Sequence, residues 1–228
     1  MRIRLFTPLM SLVCAVGVAA GAARAAVNFG QVDPFTDGTT QGWEEGSVSP
    51  NPPTNEPTGG PGGAGDRFLR NASSGGALAG SRQVTYNRAQ WAGNYNAAGV
   101  TRISMNLANF GPTTLYMRVA VESAQIANAW WASTTAVQLP SGSGWQTVHF
   151  DLTPAAMTDL TNGLLSLSAV LDNVATLRVL SARVNPAFIG DSTVSVVGMD
   201  NIRAIPEPAT LGLIALPFLA ARRRRSIG

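Results

Sequence analysis

Two stretches decide how this chain folds: Arg102-Ile103-Ser104-Met105-Asn106-Leu107 and, past a Gly111-Pro112 break, Leu115-Tyr116-Met117-Arg118-Val119-Ala120-Val121. In the first, Ile103, Met105 and Leu107 alternate with Arg102, Ser104 and Asn106. In the second, Leu115, Met117, Val119 and Val121 alternate with Tyr116, Arg118 and Ala120. Successive side chains of an extended backbone point to opposite faces, so a period of two means a strand with one face on a core. Val148, Phe150 and Leu152, alternating with Thr147, His149 and Asp151, repeat the pattern. Further strand candidates are 66–70, 82–86, 133–139, 175–181 and 192–204, and Ser141-Gly142-Ser143-Gly144 is turn punctuation. One short helix is expected around 166–174. Eight or nine short strands joined by loops predict an all-β domain over 26–205, an antiparallel β-sandwich or barrel. Within it, the Pro/Gly-rich segment 46–65 lacks a core-forming pattern and is expected as a mobile loop.

The charge of the chain misleads unless it is read by position. All 16 basic residues are arginine, against 13 acids, for a formal charge of +3. Seven of those arginines lie in the two ends, so 26–205 keeps nine against twelve acids and is net negative. A nucleic-acid groove needs cations clustered on the folded domain, and the sequence shows no such cluster; no nucleic-acid partner is expected. Cys14, the single cysteine, lies in the N-terminal apolar run. The domain over 26–205 therefore has no disulfide, and packing or a metal must stabilise it.

The N-terminal end begins Met1-Arg2-Ile3-Arg4, continues as an apolar run from Leu5 to about Ala20, and reaches Ala23-Arg24-Ala25. A short cationic region, an apolar core and a small-x-small site form a signal peptide over 1–25, handled by the Sec translocon. The C-terminal end reads Pro206-Glu207-Pro208, an apolar run over 209–221, then Arg222-Arg223-Arg224-Arg225. Thirteen residues span ~20 Å as a helix, short of a hydrocarbon core of roughly 30 Å. With the arginines held on the cytoplasmic side, 206–228 reads as a transient inner-membrane anchor.

This tail resembles the PEP-CTERM sorting signal of Gram-negative bacteria in order, spacing and end position. The resemblance implies that an exosortase recognises Pro206, Glu207 and Pro208 together with the cluster Arg222 to Arg225. It further implies delivery to the cell surface or to an exopolysaccharide and biofilm matrix. A second resemblance covers the domain. Asp33-Pro34-Phe35-Thr36-Asp37-Gly38 through Trp43, Gly144-Trp145 through Leu152, and Gly198-Met199-Asp200-Asn201-Ile202 are similar to strands of galactose-binding-like jelly rolls, which include many carbohydrate-binding modules. That resemblance implies a jelly-roll sandwich and a structural calcium joining the first strand to the last, for which Asp33, Asp37 and Asp200 are candidate ligands. Read alone, Asp37 equally caps a turn before Gly38, and Asp200 is equally a solvated side chain.

Aromatic residues carry the binding expectation. Flat rings stack on apolar sugar faces, and Trp91, Tyr95, Trp130 and Trp131 are the candidates. Adjacent residues of a strand point opposite ways, so one of Trp130 and Trp131 faces away from the core. Trp43 and Trp145 read as core or edge packing; for Trp91 and Trp131 packing and binding stand level. Catalysis has little support. His149, the single histidine, falls on an outward strand face without a positioned partner, no Gly-x-Ser-x-Gly elbow accompanies it, and the acids are few and mostly in loops. The reading is a non-enzymatic secreted matrix or surface protein that binds polysaccharide. Its alternatives are a purely structural, self-associating matrix protein and, less favoured, a polysaccharide-active enzyme.

Overall fold

The computed structural model describes residues 26–46 and 48–206. In chain order the strands are β1 (Val32–Asp33), β2 (Trp43–Glu44), β3 (Thr54–Glu56), β4 (Phe68–Ser74), β5 (Val84–Asn87), β6 (Val100–Asn109) and β7 (Leu115–Ser123). They continue with β8 (Trp130–Ser133), β9 (Val137–Leu139), β10 (Gln146–Asp151), β11 (Met157–Asp159), β12 (Val174–Ser181) and β13 (Val194–Pro206). One helix, α1 (Leu167–Leu171), is capped by the Ser166 side chain, which accepts from the Ala169 N–H.

Two antiparallel sheets stack as a β-sandwich. The first runs β10-β6-β13-β4-β3, with β1 beside β13; the second runs β11-β8-β7-β12-β5-β2, with β9 beside β7. The period-two residues face one another between them. Ile103, Met105 and Leu107 of β6, Val197 and Met199 of β13, and Val148 and Phe150 of β10 meet Leu115, Met117, Val119 and Val121 of β7 and Leu177 and Val179 of β12. Most of these side chains are fully buried, so each contributes about 1.5–3 kcal/mol relative to exposure. The domain builds its stability from this layer.

Several local details depart from the sequence expectation. The expected strand 133–139 is divided: β8 pairs with the end of β7 and β9 with its beginning. Carbonyls freed at the break are taken by Arg118, whose Nη1 donates to Ser133 O (2.7 Å) and Thr134 O (2.6 Å). In 46–65, expected as an unpaired loop, Thr54–Glu56 pair with Phe68 to Arg70 as the edge strand β3. The anchor is Asn55, whose Nδ2 donates to Phe35 O and Thr39 O and so ties this segment to the first turn of the domain. In β13 the register to β6 slips by one residue between Asp200 and Arg203, where Asn201 takes φ +49°. That slip keeps Met199 and Ile202 both on the core face.

Gly111 fits where no side chain can. A Cβ there would sit 2.6 Å from Val196 N and 2.9 Å from Ser195 Cα, both backbone atoms of the last strand. Gly111→Ala must therefore push the β6–β7 connection off β13. A loss of about 1–3 kcal/mol is expected, read as a lower urea midpoint at unchanged m-value.

Candidate functional site

The first candidates from the sequence lie inside the sandwich. Asp33 is 3% exposed, and its Oδ2 accepts the indole N–H of Trp43 (2.7 Å) and of Trp91 (2.6 Å), with Gln90 Nε2 at 3.3 Å. The two indoles pack at 6.1 Å between ring centroids. Tyr95 lies behind them and donates its hydroxyl to Trp91 O (2.9 Å). Trp91 and Tyr95 are 0% exposed. The expectation that they present ring faces to a sugar is corrected: the loop that carries them folds into the core, because an interior carboxylate requires donors and the indoles supply them.

The three aspartates do not converge on a cation. N–H donors surround Asp33, and burial raises its pKa while the indole and Gln90 donors oppose that shift. Asp37 is exposed and accepts from Thr39 N and Thr39 Oγ1, which is the turn-capping arrangement; the Thr39 backbone N–H holds its pKa low. Asp200 accepts from the N–H and Nδ2 of Asn201 (2.7 and 2.8 Å), and burial raises its pKa to about 7. Among the described residues no group of three or more His, Cys, Asp and Glu side chains is placed to hold a metal, so the calcium expectation finds no matching acid cluster.

Trp130 and Trp131 point to opposite sides, as strand geometry requires. Trp131 packs against the main core with its Nε1 donating to Leu165 O (3.1 Å). Trp130 lies on the outer face of the second sheet but is 1% exposed. There Ala120, Ala132 and Leu180 form a second apolar cluster with it, covered by Phe188 from the β12–β13 connection. The Phe188 ring stacks on Trp130 at 5.2 Å and 7°, and the Arg178 guanidinium lies 4.2 Å from the Trp130 ring.

Beside this covered patch the same face opens into a cleft of about 410 Å³. Its floor comes from Tyr86 of β5 and Arg178 of β12, directly opposite each other in the strand register. One wall is the β4–β5 connection around Leu78; Ile189 belongs to the other, and both side chains are exposed at the rim. Arg82 ties the walls together, donating through Nε to Ala77 O (3.2 Å) and through Nη1 to Gly190 O (2.9 Å). At the far end sits Glu45. Its Oε2 accepts from Ser49 Oγ (2.7 Å), its Oε1 is buried without a partner, and burial lifts its pKa to about 7.

No protein-family model matches the sequence, and no curated protein sequence matches it. Among solved structures, part of an exo-β-agarase shares the fold, at 15% identity over 79% of this chain and 25% of that one, with a TM-score of 0.56. The chain thus spans about a quarter of the agarase chain's length, and at this identity the likeness is one of fold. Looser matches are a family 11 carbohydrate-binding module of a cellulosomal cellulase of Clostridium thermocellum (12% identity, 79% of this chain and 96% of that one, TM-score 0.48) and a CBM22 tandem domain from Paenibacillus barcinonensis (15%, 85% and 50%, TM-score 0.45).

The outer face of the first sheet is different in kind. Phe68, Phe110 and Trp145 pack edge-to-face or tilted at 5.2–5.8 Å over Gly198, and Trp145 Nε1 donates to Gly59 O. His149 is exposed there on β10, and Arg102 pairs with Asp151. Of the expected sorting residues, Pro206 ends β13, while Glu207, Pro208 and Arg222 to Arg225 lie outside the described residues. Among the described residues no helix is long and apolar enough to cross a membrane.

Two outcomes follow from this arrangement. Trp91→Ala removes a buried indole and leaves Asp33 short of a donor; it should cost about 3–5 kcal/mol of stability, visible as a fall in the thermal midpoint. Glu45 and Asp200 each hold a proton in the folded state that the unfolded chain has already released above its ordinary carboxyl pKa. Stability should therefore fall as pH rises from about 4 to about 7 and level off above. Glu45→Gln with Asp200→Asn should flatten that slope in a series of melts across pH.

Proposed function

We propose that this chain is an exported, non-catalytic polysaccharide-binding protein whose ligand lies in the cleft on the outer face of the second sheet. The observation that carries the reading is the cleft itself. It is walled by two connections that a single arginine joins, floored by strand side chains, and rimmed by exposed apolar groups. Concave sites with an apolar rim and a few convergent polar groups are where extended ligands lodge. Supporting this is a sandwich fold shared with part of a polysaccharide-degrading enzyme chain. The aromatic candidates of the sequence give way here to a floor of Tyr86 and arginine.

Export through the signal segment 1–25 and sorting through Pro206, Glu207, Pro208 and the arginines at 222–225 belong to the same proposal and rest on the sequence. They would bring the domain to the cell surface or the extracellular matrix after a transient stay in the inner membrane. The Sec translocon and an exosortase would be its partners on the way, and polysaccharide its partner at the destination.

Affinity electrophoresis of the purified chain through gels containing neutral and acidic polysaccharides tests the binding claim. At least one gel should retard the protein, and Leu78→Ala with Ile189→Ala, both at the exposed rim, should weaken the retardation several-fold without moving the melting midpoint. Unchanged mobility in every gel, with concentration-dependent oligomers in sedimentation, would instead favour a purely structural matrix protein.

A further inference from the structure

The chemistry of the cleft narrows what it can hold. Three of the domain's nine arginines gather near Tyr86: Arg82 and Arg178 line the cleft with it, and Arg88, on the same stretch of chain as Arg82, lies over its ring. The Arg178 and Arg88 guanidinium groups lie 5.6 and 4.5 Å from the Tyr86 ring. Tyr86 is consequently 8% exposed, so the floor offers a ligand guanidinium edges rather than a bare ring.

Among the described residues none of these three arginines forms an ion pair; the one ion pair there is Arg102–Asp151, on the other sheet. Arg82 spends its hydrogen bonds on the carbonyls of Ala77 and Gly190, which satisfy donors without cancelling charge. Arg178 donates from Nη1 to Phe188 O (2.7 Å), and its Nε is buried with no acceptor at all. The acids nearby do not make up the difference. Glu122 acts on Arg178 through its charge but forms no ion pair with it, its oxygens accepting from Thr176 Oγ1 and the Asn128 N–H. Glu44 lies across from Tyr86 at the sheet edge and is exposed. Glu45 is buried in a setting that favours its neutral form. A guanidinium that lines an open cleft without an ion-pair partner is a site for an anion, and its planar fork suits carboxylate and sulfate alike.

We propose that the cleft takes an anionic glycan, a polysaccharide whose carboxylate or sulfate ester groups are held by Arg178, Arg88 and Arg82. The inference rests on the polysaccharide-binding reading above and names the class of its ligand. Anionic groups bound this way sit beside the apolar rim of Leu78 and Ile189, so charge selects the ligand and the sugar backbone lies along the walls.

The test is affinity electrophoresis and calorimetry of the full chain against polygalacturonate, which carries carboxylates, ι-carrageenan, which carries sulfate esters, and neutral agarose and laminarin. Binding to one or both anionic polymers is expected, with the arm that binds identifying the anion. Raising NaCl from about 50 to 500 mM should weaken it at least about tenfold. Arg88→Gln, an exposed substitution, and Arg178→Gln should each weaken it about fivefold or more. Arg203→Gln on the opposite sheet should leave it unchanged. Melting curves confirm that each variant is folded, and the salt series and Arg88→Gln decide the matter should Arg178→Gln fail to fold. Binding confined to agarose or laminarin would overturn this inference and leave polysaccharide binding standing; binding to none of the four would overturn both. Anionic binding untouched by salt or by the cleft arginines, or equally lost in Arg203→Gln, would overturn it as well.

Discussion

Two indole N–H groups on one buried carboxylate hold this domain's front end together. Asp33 lies on β1, which pairs with β13 in the first sheet; Trp43 lies on β2, which pairs with β5 in the second; Trp91 lies in the connection after β5. The segment 32–44 therefore crosses from one sheet to the other, and the Asp33–Trp43–Trp91 knot fastens the crossing. Hydrogen bonds to a charged group are each worth about 1.5–3 kcal/mol, and an orphaned partner costs a similar amount. With no cysteine in 26–228, polar contacts such as these do the fastening that a disulfide does elsewhere. The same buried setting that raises the Asp33 carboxyl pKa is what makes its two donors indispensable.

Legibility in the sequence followed the length of the pattern. Strands of six residues or more, such as β6, β7 and β10, could be read from alternation because half of each is buried against a single core. β1, β2 and β3 are two or three residues long. No period can appear in so few residues, and their pairing is set by partners far along the chain. The break between β8 and β9 was equally hidden, since it depends on Arg118 reaching across to accept the strain of unpaired carbonyls through its donors.

The burial of the aromatic candidates was hidden for a related reason. An exposed tryptophan and a tryptophan serving a buried carboxylate look alike in one dimension, so Trp91 could be weighed but not placed. Parity did require one of Trp130 and Trp131 to face outward; what parity does not encode is that it is Trp130, or that the β12–β13 connection folds back and lays Phe188 over it. The arginines of the cleft are invisible for the opposite reason. Arg178 joins Arg82 and Arg88 only through the β5–β12 pairing, and a scan for clustered cations along the chain passes over that meeting. The usable signal was narrower: an arginine inside an otherwise apolar strand, at 178, which must either find an acid or face outward.

Net charge and local field then part company. The domain carries more acids than arginines, so at long range it repels a polyanion weakly, and over a Debye length of about 8–10 Å that repulsion is largely screened. Inside the cleft the balance reverses, because Arg82 and Arg178 are engaged by carbonyls and rings while the one lining acid, Glu45, is pushed toward neutrality by its burial. Low-dielectric walls concentrate the field of the remaining charges. A domain built this way repels a polyanion weakly at a distance, while the proposed site in its cleft attracts one at contact.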